Sequence, residues 1–181
     1  MSLLPRTIRL DASDAFVFET AAEPGEWAVS CAFLFADADP DALPRKARTA
    51  CRAGFLGVES WGFSTLAVVT EATEADRAAL EARLAAQFVA RLGAPDVDTA
   101  LPAAREEAAF AASLCAGHPP GMLLAVHRTV EDGRLREQFR TLRQREARDG
   151  VAGHARAFLV VETEGEEASE AVDILALRGP R

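Results

Sequence analysis

The chain has 181 residues, 49% apolar and 27% charged, with a net charge of −8. That length fits one domain burying roughly 70% of its unfolded-chain surface, and the composition is too apolar for disorder. The negative balance argues against nucleic acid and anionic membrane surfaces as partners, since both need a basic footprint.

Lys46 is the single lysine and tyrosine is absent, a bias expected of a GC-rich bacterial genome. Cys31, Cys51 and Cys115 are odd in number and far apart, so no disulfide framework is expected and a reducing compartment is the simpler reading. The first ten residues are too short and broken for a signal peptide, and no apolar run has the length of a membrane span. A cytoplasmic location is therefore expected.

In chain order, Arg6 to Leu10 alternates as a strand does. Ala15 to Glu19 and Trp27 to Phe35 are rich in aromatic and β-branched residues. Pro24-Gly25 between them suits the centre of a type II turn, which predicts a hairpin over Phe16 to Phe35. Asp41 is placed to cap a helix from Ala42 to Ala53 that ends at Gly54. Its Arg45, Lys46, Arg48 and Arg52 suit either an anion-binding face or a solvated one, and the solvated face is the reading. Phe55 to Thr70 reads as an irregular strand and then a buried one over Leu66 to Val69.

Thr73-Glu74-Ala75-Asp76 resembles a capping box and opens a helix to Leu92, closed by Gly93. Leu80, Leu84, Phe88 and Leu92 form its apolar stripe, and Arg83, Gln87 and Arg91 a polar one. Ala75, Ala79, Ala82, Ala86 and Ala90 form a small-residue strip on which a second helix can dock. Gly93 to Pro102 reads as a loop, and Ala103 to Cys115 as a third helix and possible partner for that strip.

Met122 to Leu142 is a hairpin around Asp132-Gly133, a pair suited to a type I′ turn with both central residues at φ > 0. Counting outward sets Val130 against Leu135, Arg128 against Glu137, Val126 against Phe139 and Leu124 against Thr141. Gln144 to Gly153 reads as a charged connection. Ala155 to Thr163 and Ala171 to Leu177 read as a last hairpin with a solvated acidic turn. The summed expectation is α+β: antiparallel hairpins at both ends of a single domain, with about three helices packed on one face.

Three clusters are candidates for chemistry. Cys115 and His118 have a spacing that can share a metal, with His127 or His154 to complete the set. That spacing is common by chance, and Cys115 falls at a helix C-terminus, where the dipole disfavours a thiolate. A structural thiol is the reading, with no metal and no cofactor. His127, Arg136 and Arg140 share the polar face of the hairpin, where arginine forks suit a carboxylate or phosphate. Trp61 and Phe63, flanking Gly62, can line a small-molecule pocket. Glycine-rich phosphate loops, nucleophile elbows and paired Cys-x-x-Cys motifs are absent.

The blocks Arg6-Thr7-Ile8-Arg9-Leu10-Asp11, Glu23-Pro24-Gly25-Glu26-Trp27-Ala28-Val29-Ser30, Gly54-Phe55-Leu56-Gly57, Phe110-Ala111-Ala112-Ser113-Leu114-Cys115 and Ala125-Val126-His127-Arg128-Thr129 resemble a family of small uncharacterised alphaproteobacterial proteins. The resemblance implies a bacterial, cytoplasmic, single-domain protein and carries over no catalytic residue. The expected function is non-enzymatic binding or assembly as a homodimer, with a protein partner or a small anionic ligand. The alternative is a small enzyme or ligand-binding protein with a pocket near Trp61, Cys115 and His127.

Overall fold

The structure is a computed structural model and describes residues 2–9, 12–143 and 161–162. It is α+β, with two antiparallel sheets. The larger sheet has the order β1-β5-β6-β7-β8, formed by Ser2–Ile8, Leu66–Ala72, Leu123–Glu131, Arg134–Arg143 and Val161–Glu162. The smaller has the order β2-β3-β4, formed by Ala28–Ser30, Phe55–Gly57 and Phe63–Ser64. The helices are α1 (Asp14–Val17), α2 (Arg45–Ala53), α3 (Glu74–Leu92) and α4 (Val97–Cys115).

The β6–β7 hairpin has the register expected from its turn. Val126 faces Phe139, Arg128 faces Glu137 and Val130 faces Leu135. Asp132 and Gly133 stand at φ 53 and 74, as a type I′ turn requires. The inward face of β6 buries Leu124, Val126 and Arg128, whereas Val130 near the tip is exposed.

Helix α3 begins with the capping box: the Asp76 amide donates to Thr73 Oγ1 and the Thr73 amide to Asp76 Oδ2. It ends at Gly93 in the left-handed region. Leu80, Leu84, Ala85 and Phe88 pack in one core cluster with Ala100, Ala104, Ala108 and Ala111 of α4. The alanine stripe that admits a neighbouring helix is thus on α4. On α3, Ala75, Ala79, Ala82 and Ala90 are exposed, because its large apolar side chains take the interface instead. Leu92, the last member of the α3 stripe, is also exposed.

Three further expectations are corrected, and a fourth lies outside the described residues. Helix α4 starts at Val97, where the Asp96 side chain accepts from the Thr99 amide, and it runs through Pro102. An interior proline normally costs about 3 kcal/mol; here a complete buried alanine face offsets it. The segment from Phe16 to Phe35 is not a hairpin: Asp14–Val17 is a helical turn and Ala28–Ser30 pairs with Phe55–Gly57. Its Pro24-Gly25 turn does form, with Gly25 at φ 88, but it brings Trp27 against Arg6 of β1. Helix α2 starts at Arg45 rather than Ala42, and Gly54 after it is extended, continuing into β3. The expected final hairpin lies outside the described residues, apart from Val161–Glu162 beside Leu142 and Arg143.

Candidate functional site

The five residues joining β3 to β4 are held from two sides. The carboxylate of buried Glu26 accepts from the Glu59 and Ser60 amides, each at 2.8 Å, through Oε2, and from the Glu23 amide through Oε1. Gln87 of α3, expected on a polar stripe, is buried instead. Its amide nitrogen donates to the Val58 and Glu59 carbonyls at 3.0 and 3.1 Å. Gly57 and Gly62 close the loop through an amide-to-carbonyl bond of 2.8 Å. Gly62 has no substitute there, since a Cβ would lie 2.5 Å from the Ala21 carbonyl carbon.

This clamp fixes Trp61 at φ 58, a left-handed conformation that costs a bulky L-residue about 1–2 kcal/mol. The indole packs against Phe33 and Phe88, with ring centroids 6.3 and 6.5 Å away. The Arg91 guanidinium stands 5.6 Å from the indole centroid, and its Nε–H donates to Gln87 Oε1 at 2.9 Å. One glutamine side chain therefore holds both the loop and the cation above the ring.

A cleft of about 450 Å³ opens beside this assembly. Leu34, Phe35, Phe63 and Trp61 supply apolar walls, and Ala47 and Ala50 of α2 face them. Lys46, Arg91 and Glu19 bring charge to the lining, and Thr20 and Ser60 hydroxyls. The size and the few polar groups on an apolar wall are those of a small-molecule site.

A second, larger groove of about 720 Å³ lies between the Ala36–Asp41 loop and the β6–β7 hairpin, and His127 and Thr129 line it. Volume favours this groove, but lining chemistry favours the cleft. The groove wall has no aromatic side chain besides His127 and carries Asp37, Asp39 and Asp41, of which Asp41 is already paired with Arg52 at 3.3 Å. Among the described residues, no group of three or more His, Cys, Asp and Glu side chains is arranged to hold a metal ion.

The sequence-nominated residues therefore separate. Trp61 and Phe63 share the cleft, and His127 lies in the other groove. Cys115 is buried in the cluster with Leu114, Met122 and Leu124, where burial pushes its thiol up to about 12. His118 is half-buried next to it, and its amide donates to the Cys115 carbonyl. Arg136 is exposed and pairs with Glu131 at 2.8 Å. Arg140 is exposed on β7 opposite Ala125.

Beneath the hairpin is a closed polar network. The fully buried Arg128 side chain donates through Nε to Glu137 Oε1 at 2.6 Å and through Nη2 to Ser30 Oγ at 3.0 Å. Its Nη1 donates to the Cys51 and Gly54 carbonyls at the C-terminus of α2. Those are carbonyls a helix end leaves unpaired, at the negative end of its dipole. Cys31 Sγ donates to the Gly54 carbonyl at 3.2 Å, and burial pushes its thiol up to about 12. The arginine thus joins β6, β7, β2 and α2 in one arrangement.

Sequence reasoning did not nominate Arg91, Gln87 or Glu26, and it weighed Lys46 only within an anion-binding helix face set aside for a solvated one. The spacing of Gln87 and Arg91 on one helix face was the available signal, but it reads equally well as solvated surface.

The chain belongs to a family of unknown function (DUF6505), which it matches over residues 1–174. No curated protein and no solved structure matches it. No helix among the described residues is long and apolar enough to cross a membrane.

Proposed function

We propose that this is a small-molecule-binding protein whose site is the cleft beside Trp61. The observation that carries this reading is the Trp61 backbone at φ 58, held from both sides by Glu26 and Gln87. Strained residues persist where their surroundings over-determine them, and they cluster at ligand sites. The clamp gives the indole one orientation before any ligand arrives, which lowers the ordering cost of binding. The residues lining the cleft include no histidine or cysteine, and the Ser60 hydroxyl accepts from the Gly62 amide. That set supports binding rather than nucleophilic catalysis.

A fragment screen by ligand-observed NMR on the Trp27→Phe protein tests this, with Trp61 then the sole indole. Hits should change Trp61 emission and should be lost in Ala47→Trp, which fills the cleft from α2 while leaving the clamp intact. Hits that bind Ala47→Trp equally well, or no hits, overturn the reading.

A separate reading, association of two copies, rests on Phe16, 74% exposed, with exposed Val17 beside it on α1. Light scattering after gel filtration should then give twice the 19.3 kDa chain mass. A monomer mass at tens of micromolar rejects it.

A further inference from the structure

The charges around the cleft identify the chemistry of its occupant. The chain carries −8 overall, yet Lys46 and Arg91 outnumber Glu19 in the cleft lining, giving a local +1. Among the described residues neither cation has a carboxylate partner, whereas Arg52, Arg77, Arg83, Arg105, Arg128 and Arg136 each pair with one. The Arg91 Nε–H is engaged with Gln87, which fixes the guanidinium plane and leaves its remaining donors for another group.

Helix α2 gives an independent indication. Its first turn carries Arg45 and Lys46, has no acidic residue, and lacks a side-chain cap. Cations at a helix N-terminus oppose the macrodipole, and a bound anion compensates both the dipole and the side chains. Lys46 and Ala47, from that turn, line the cleft. The opposite wall is aromatic, with Phe35, Phe63 and Trp61.

We propose that the cleft binds a monoanionic aromatic carboxylate, its carboxylate between Lys46 and Arg91 and its ring against Phe35, Phe63 and Trp61. This rests on the cleft being the ligand site. The guanidinium fork matches a carboxylate, and the local +1 matches one negative charge better than two. The aromatic wall suits a flat apolar body, since rings stack offset or edge to face.

Titration calorimetry with benzoate, indole-3-acetate, their primary amides and inorganic phosphate tests the proposal, on the native protein and on Lys46→Gln, Arg91→Gln and Ala47→Trp. At least one carboxylate should bind about tenfold or more tighter than its amide, a difference of about 1.4 kcal/mol. That preference should shrink in both charge variants, whose mutated side chains are exposed, and binding should vanish in Ala47→Trp. Equal binding of acid and amide, lost in Ala47→Trp, would overturn the carboxylate assignment and leave the cleft as the site. Inorganic phosphate binding more tightly than either carboxylate would also overturn it. Carboxylate binding that Ala47→Trp does not affect would remove both readings together.

Discussion

Arg128 and Arg91 show two ways in which this fold holds a guanidinium. Arg128 is fully buried and makes four hydrogen bonds, to Glu137, Ser30, Cys51 and Gly54. Arg91 is exposed, with one hydrogen bond to Gln87 and an indole beneath it. The first spends four of its five N–H donors on the framework and serves to join secondary structures. The second is oriented but not consumed. Burial of charge therefore marks the framework here, and the proposed ligand site is where a charge is held in place while still meeting water.

The buried region should fail by the larger margin. Arg128→Met leaves the Glu137 carboxylate buried without its cation, takes the donor from the Cys51 carbonyl and leaves the Gly54 carbonyl with Cys31 Sγ alone. Losing one partner of a buried pair costs about 3–5 kcal/mol, because the surviving charge has already lost its hydration. Guanidinium chloride unfolding should show this, and Arg128→Met with Glu137→Leu should recover most of it, since apolar replacements of a buried pair are often neutral. A cost for Arg128→Met below about 1 kcal/mol would place Arg128 with the surface arginines and break the comparison.

The network has an acid-sensitive neighbour. Glu137 Oε2 is buried with no hydrogen-bond partner among the described residues, and Glu107 of α4 is close enough to feel the Glu137 charge. Burial first, then Glu137 and Glu106, push the Glu107 carboxyl up to about 7, against the opposing pull of Arg128. A folded-state pKa above the unfolded value means that the folded chain binds more protons between about pH 4.5 and 7. Stability linked to Glu107 is thus complete at low pH, declines across that window and is gone above it. Glu107→Gln should be more stable than the native chain at pH 8, by about 1–2 kcal/mol after allowing for partial solvent access, with the gap closing by pH 5. Urea midpoints at the two pH values measure this, and a gap that is the same at both would remove Glu107 from the network.

Legibility from sequence followed the range of the interactions. The β6–β7 register and the α3 caps were readable because Asp132-Gly133 and Thr73 to Asp76 fix them within a few residues. The sequence even set Arg128 opposite Glu137, but the 2% exposure of Arg128 depends on α2 and β2 arriving from elsewhere in the chain. The stretch from Phe16 to Phe35 was misread because the three residues of β2 pair with β3, and no local signal names that partner. Local rules also placed the start of α4 after Pro102, whereas the buried alanine stripe and the Asp96 cap carry the helix through it. At the cleft, Trp61 and Phe63 were legible as aromatics flanking a glycine. Arg91 was not, and Lys46 was legible only as one cation of a basic helix face, because only the tertiary fold brings α2 and α3 to that loop.

The smallest stability effect is expected at the arginine of the proposed site. Arg91→Gln removes the guanidinium over Trp61, a contact worth about 0.5–1 kcal/mol at an exposed site. It also removes the Nε–H bond to Gln87, whose oxygen loses that donor, while the Gln87 amide nitrogen keeps the Val58 and Glu59 carbonyls. The loop clamp stays intact, so the total should be about 1 kcal/mol or less by urea unfolding, several-fold below the Arg128→Met cost. In the Trp27→Phe background the same substitution should shift Trp61 emission, because a fixed charge near the indole perturbs its excited state. A loss above about 3 kcal/mol would make Arg91 a second structural arginine, erase the distinction between the two regions, and leave the cleft without a cation free to meet a ligand.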